Sequence, residues 1–207
     1  MQVIKKLVVL GILIGSLLIP QVIIFSQSSV DHPTSNAEVL ARVDAPKEVP
    51  DHLRELFDRM ESANRRSQDV FRQLSAEQMS FEPANGTHTP RWNAEHMAGR
   101  QLFFFSQIYH ALDSKIPVID MNPRQMPKDY QPRKPTWSGK QEARFLQRVD
   151  DFCRRHAHLL KDLSADEKPP ASRWPSLQAL LLQMERHYDE HTANVKKKFQ
   201  LPDWPKQ

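Results

Sequence analysis

Proline placement constrains this chain more than any other feature. Sixteen prolines occur in 207 residues, and after Pro50 they leave four Pro-free windows, 51–82, 91–116, 136–168 and 176–201. Proline lacks a backbone N–H and clashes with the preceding turn, so long helices must fit between prolines. Each window has room for about six turns or more. Each also carries apolar residues at steps of three and four. The first has Leu53, Leu56, Phe57, Met60, Val70, Phe71 and Leu74; the second Ala94, Met97, Phe104, Phe105, Ile108 and Leu112. The third has Leu146, Val149, Phe152, Cys153, Leu159 and Leu163, and the fourth Leu177, Leu180, Leu181, Met184, Tyr188, Val195 and Phe199. No segment alternates with period two for long. The chain is therefore expected to be all-α, a four-helix bundle with helices near 51–74, 93–112, 138–163 and 176–200, and with Leu56, Ile108, Val149 and Met184 inside.

Helix starts are marked. Ser75–Gln78 and Ser138–Gln141 have the spacing of a capping box, and Asn93 and Ser176 are N-cap candidates. Trp92, Trp137 and Trp174 lie just before these caps, where a large apolar residue packs back onto the first turn; the alternative is a pocket wall. The connection 113–137 holds five prolines and is long enough to cover one end of a bundle.

The amino terminus is different in kind. Lys5 and Lys6 precede Leu7–Phe25, nineteen residues without a charge, and Ser26–Ser28 offers small residues for cleavage. The expectation is an export signal over 1–28, with an uncleaved membrane anchor as its rival. A flexible tether then covers 29–50, and the bundle domain 51–207. The location that follows is the cell envelope or periplasm of a bacterium, with membrane contact only through the N-terminal segment.

Charge and composition exclude several functions. The net charge is +4, and without the N-terminal segment 27 basic residues face 25 acidic ones, too even a balance for nucleic acid. Five glycines with no GxGxxG or P-loop pattern exclude the common nucleotide-binding motifs. The single Cys153 excludes a disulfide framework, and its place on the third stripe makes it a small buried hydrophobe. No Ser-His-Asp order is visible.

Of nine histidines, the informative pair is His187 and His191. Their i, i+4 spacing puts both rings on one helix face. Stepping on from Leu180 and Met184 lands on His187, His191 and Val195, so the pair is expected to interrupt the core stripe. Two inward imidazoles are a ready ligand pair for zinc, nickel or iron. Hydrogen-bonded core histidines are the plain alternative. Glu95, Glu185 and Glu190 lie near the histidines in sequence as candidate general bases, or as ordinary solvated carboxylates.

Residues 51–204 resemble the DinB-like superfamily of four-helix bundles, which often carry a divalent metal. The residues that carry the resemblance are Arg91-Trp-Asn-Ala-Glu-His-Met97 and His187-Tyr-Asp-Glu-His191-Thr-Ala-Asn194. In that family the last helix typically bears His-x-x-x-His followed by a small residue and an amide, which His187, His191, Ala193 and Asn194 match. The resemblance implies a third histidine further along the second helix, but that place falls at Gly99 or Arg100 here. His96, one turn earlier, is the nearest substitute, although the helical wheel groups it with Arg100, Phe103 and Gln107. His156, on the Val149/Phe152/Cys153 stripe, is the other candidate. The metal set is thus His187, His191 and His96, with His156 as alternative. The implied function is a metal-dependent hydrolase or thiol transferase acting on a small molecule that the sequence does not name. A non-catalytic metal- or ligand-binding bundle and a structural bundle without metal stand beside it, and dimerisation is left open.

Overall fold

The computed structural model describes residues 48–123 and 130–206. The export signal expected for 1–28 and the tether expected for 29–50, as far as residue 47, lie outside the described residues; at the end of the tether Val49 is buried in the core, so the packed domain starts before residue 51. Among the described residues no helix is long and apolar enough to cross a membrane.

The described chain is helical, without strands. A 3-10 turn, Asp51–Leu53, leads into α1 (Arg54–Phe71); a short α2 (Ala76–Met79) follows; then come α3 (Pro90–Leu112), α4 (Gly139–His156) with a 3-10 extension Ala157–Leu160, and α5 (Leu177–Lys198). Both capping boxes form, at Ser75/Gln78 and Ser138/Gln141, and the Ser176 side chain accepts from the Ala179 N–H. The second long helix starts earlier than its sequence suggests. Thr89 caps it and Pro90 takes the first helical position, where a missing N–H costs nothing. Asn93 is therefore one turn inside the helix, its side chain released from capping. Trp92 is likewise inside the helix instead of acting as a staple before it.

The four long helices form a square. α1 packs against α4 and α5, α3 packs against the same two, and the α3–α5 seam is the most sparsely packed of the four. Phe57, Met60, Phe105, Val149, Phe152, Leu181 and Met184 are all buried between them, each contributing about 1.5–3 kcal/mol. Ile108 is buried as expected, while Leu56 packs at the rim with Leu53 taking the inner place.

A polar layer crosses the middle of this core with one residue from each helix. Asn64 of α1 donates to the Leu146 carbonyl and to the Tyr188 hydroxyl, each at 3.2 Å. Tyr188 of α5 donates to Gln101 of α3, whose amide donates in turn to Asp150 of α4 at 3.2 Å. One turn on, Thr192 meets Ser67 of α1 at 2.6 Å. Such bonds are costly to leave unmade in a core, so they fix the rotation of α5 about its axis. The core stripe runs Met184, Tyr188, Thr192, Val195, and not through His187 and His191. The two histidines sit beside it, half-buried, turned toward α3.

The long connection returns across the start of α3. Arg91 is buried and pairs with the equally buried Glu142 at 2.9 Å, while also donating to the carbonyls of Lys134 and Trp137. Glu95 accepts from the Tyr130 hydroxyl at 2.7 Å and the Arg133 N–H at 2.8 Å. From the other direction, Met121 and Asn122 lie so close to α3 that a Cβ on Gly99 would stand 2.6 Å from the Asn122 Cα. Pro90–Gly99 are consequently all buried.

Candidate metal centre

His96, His187 and His191 each offer one nitrogen, and these nitrogens lie within 4.8 Å of one another. The ring centroids are 5.0 Å apart for His96–His187, 5.0 Å for His96–His191 and 4.5 Å for His187–His191. The helical wheel, which disfavours His96, presumes a single buried face on α3. The first turns of that helix are covered on every side, by α5 and by the loop, so a position off the apolar stripe is still inside.

Hydrogen bonds behind the rings orient them. His96 Nδ1 is 3.1 Å from the Pro123 carbonyl oxygen, which can only accept. The Asn122 amide, in the orientation that satisfies its neighbours, donates to the same Nδ1 at 2.9 Å, so these two groups orient the His96 ring without fixing which nitrogen carries its proton. His191 Nδ1 lies 2.7 Å from Asn93 Oδ1. The Asn93 amide is itself oriented, because its nitrogen donates to the Thr89 carbonyl at 2.8 Å. His191 is thus held with its proton on Nδ1 and Nε2 bare. Backing of this kind is what fixes the ring orientation of metal-ligating histidines. His187 Nδ1 is buried with no partner among the described residues.

The surroundings favour neutral imidazoles. Burial pulls His96 and His191 down to about 4, and burial reinforced by His191 pulls His187 down to about 2. Trp92 makes a flat wall beside them, stacked on His96 at 4.4 Å and on His88 at 3.5 Å. Three neutral nitrogen donors with open lone pairs suit zinc, nickel or iron(II).

The other sequence candidates lie elsewhere. His156 packs on Phe152 at 4.9 Å and Tyr109 at 5.7 Å, in the aromatic end of the core, and does not join the cluster. Glu95 is engaged by Tyr130 and Arg133, Glu185 pairs with Arg59 at 2.8 Å, and Glu190 is exposed beside Arg186. Among the described residues no carboxylate joins the three histidines. Cys153 is buried, and burial raises its thiol well above the ordinary value. Sequence reasoning missed the supporting residues Asn93, Pro123 and His88. The available signal was the run His88, Trp92, His96 at four-residue steps, disguised by Pro90.

The fold and the cluster define the class: a four-helix bundle with three histidines gathered at the α3–α5 seam. The profile of the DinB superfamily matches residues 59–195, and the chain belongs to that superfamily. No curated protein matches the chain. No solved structure matches it either.

Proposed function

We propose that this chain is an exported, divalent-metal-dependent enzyme of the hydrolase or thiol-transferase type, with His96, His187 and His191 holding the metal. The supporting observation is the convergence of three neutral imidazoles, His191 fixed as its Nδ1–H tautomer by Asn93 and His96 oriented by Pro123. A metal bound by three protein nitrogens supplies a bound water or thiol of lowered pKa, a nucleophile near neutral pH. The chain's own part is to keep the three rings unprotonated, to orient His191 through Asn93 and His96 through Pro123, and to close one side of the site with Trp92. Export follows from Lys5, Lys6 and the uncharged run to Phe25. A location outside the cytoplasm favours hydrolysis, since low-molecular-weight thiols are scarce there.

Metal analysis of the purified chain tests this reading. One equivalent of zinc, nickel or iron is expected, lost in His187→Ala, followed by turnover on a panel of small ester, amide and thiol-transfer substrates. A chain that binds no metal at any loading would refute it. Stoichiometric metal without turnover would favour the second reading, a metal-binding bundle without catalysis, which the lack of a carboxylate among the clustered residues supports. Fractionation with a cytosolic marker tests export.

A further inference from the structure

A cleft of about 530 Å³ opens beside the histidine cluster, between the 85–88 loop and the end of α5. Its lining includes His88, Asn93, Asn194, Lys197 and Lys198, and no acidic residue. Asn93 joins it to the cluster, being the residue that holds His191. His88 joins it a second time, through the stack on Trp92 and His96.

Lys198 is the unusual member. It is only 4% exposed, yet it lines the cleft. Its ammonium donates to the Asn194 carbonyl at 3.1 Å, and no carboxylate of the described residues lies within ion-pairing distance. Cations at a helix C-terminus are favourable by virtue of the helix dipole, which accounts for the exposed Lys196 and Lys197. It does not account for a third lysine folded inward, where a charge without a counter-charge is expensive. An ammonium has three donors, and one carbonyl uses one of them. A buried cation in a cleft without acids is half of an ion pair.

We propose that this cleft takes the oxyanion end of a small organic acid, a carboxylate or a phosphate monoester, with Lys198 as its counter-charge and Lys197 and Asn194 at its rim. The substrate class of the metal site would then be anionic, an assignment that rests on the metal reading above. Three neutral histidines leave a bound dication's charge uncancelled, so metal and lysine act on an anion in the same direction. The anion's binding to the cleft itself does not need the metal.

Titration of the full chain with succinate and with inorganic phosphate, metal-free and zinc-loaded, tests the proposal by calorimetry and by amide shifts. Saturable binding of at least one anion is expected, with shifts at Thr87, Asn194 and Lys198. Whichever anion saturates distinguishes carboxylate from phosphate recognition. Lys198→Met should weaken binding roughly ten- to hundredfold, the loss of a charged hydrogen bond, while zinc uptake stays at the wild-type level. Should that variant not fold, Lys197→Gln provides a milder loss at an exposed position. No saturable binding, or binding unchanged in Lys198→Met, overturns the proposal. Anion binding by a chain that takes up no zinc would keep the cleft and refute the metal enzyme. Equal anion affinity with and without bound zinc would detach the cleft from the metal and overturn the substrate assignment.

Discussion

Replacing Asn93 with alanine removes one hydrogen bond behind the proposed metal site and leaves all three donor histidines in the sequence. In the native chain the Asn93 amide nitrogen is tied to the Thr89 carbonyl at 2.8 Å, so its oxygen must face His191 Nδ1, 2.7 Å away. Without it, His191 can carry its proton on either nitrogen and its ring can rotate. Losing such a partner costs about 10–100-fold in metal affinity, or about 1.4–2.8 kcal/mol. The metal-free protein should lose less, about 0.5–1.5 kcal/mol for the neutral hydrogen bonds. Asn93→Asp separates orientation from mere packing. A carboxylate keeps the acceptor toward His191 and raises its basicity, but sets its second oxygen against the Thr89 carbonyl that the Asn93 amide donates to. It should bind zinc more tightly than the alanine variant. Competition with a chromophoric chelator near neutral pH measures the affinities, and thermal melts of the metal-free proteins measure the folding cost. Native-like zinc affinity in Asn93→Ala would refute the argument that the Thr89–Asn93–His191 chain sets the tautomer. Weaker binding by Asn93→Asp than by the alanine variant would do the same.

Other consequences follow from the same geometry. Burial holds His96 and His191 at about 4 and His187 at about 2, below the ordinary 6.5, so the unfolded chain protonates first. The metal-free protein should therefore keep full histidine-linked stability above pH 6.5 and lose it as pH falls from there through about 4, by up to about 1.4 kcal/mol per pH unit and histidine; a flat urea-denaturation profile over that range would contradict neutral buried rings. Gly99→Ala should push the 121–123 segment off α3, take the Pro123 carbonyl from His96 and weaken zinc about tenfold in chelator competition. Arg91→Met should cost up to about 3–5 kcal/mol in chemical denaturation at alkaline pH and less near neutrality, because Glu142, raised by burial to about 7 even beside Arg91, would be left unpaired and take up a proton.

Most of the fold was legible because it depends on local signals. Proline limits, capping serines and period-3.6 stripes are written within single segments, and the described helices fall in the four windows. The start of α3 was misread because Asn93 and Thr89 are equally good caps by residue type, and only the placement of Pro90 at the first helical position separates them. The facing of α5 was misread for a different reason. Leu180 and Met184 can be continued by steps of three to His187 or of four to Tyr188, and the choice is made by partners on other helices, Asn64, Gln101 and Ser67. The His187/His191 pair was visible from spacing alone. The third member, His96, was reached only through the family resemblance and against the helical wheel, since its burial depends on a distant loop segment.

That loop also explains where the cluster departs from the family arrangement. The place at which the superfamily resemblance implies a third histidine falls at Gly99 or Arg100, and at Gly99 the Asn122 backbone leaves no room for a Cβ. A side chain there and the loop in its present course exclude each other. The same course brings the Pro123 carbonyl to His96 Nδ1 and covers the ring. The glycine, the buried His96 and the hydrogen bond that orients its ring are therefore one structural choice. A loop held close to the helix moves the candidate donor one turn toward the start of α3, level with Trp92 and the Asn93 support of His191. The consequence is a cluster drawn toward the end of the bundle where the Lys198 cleft opens.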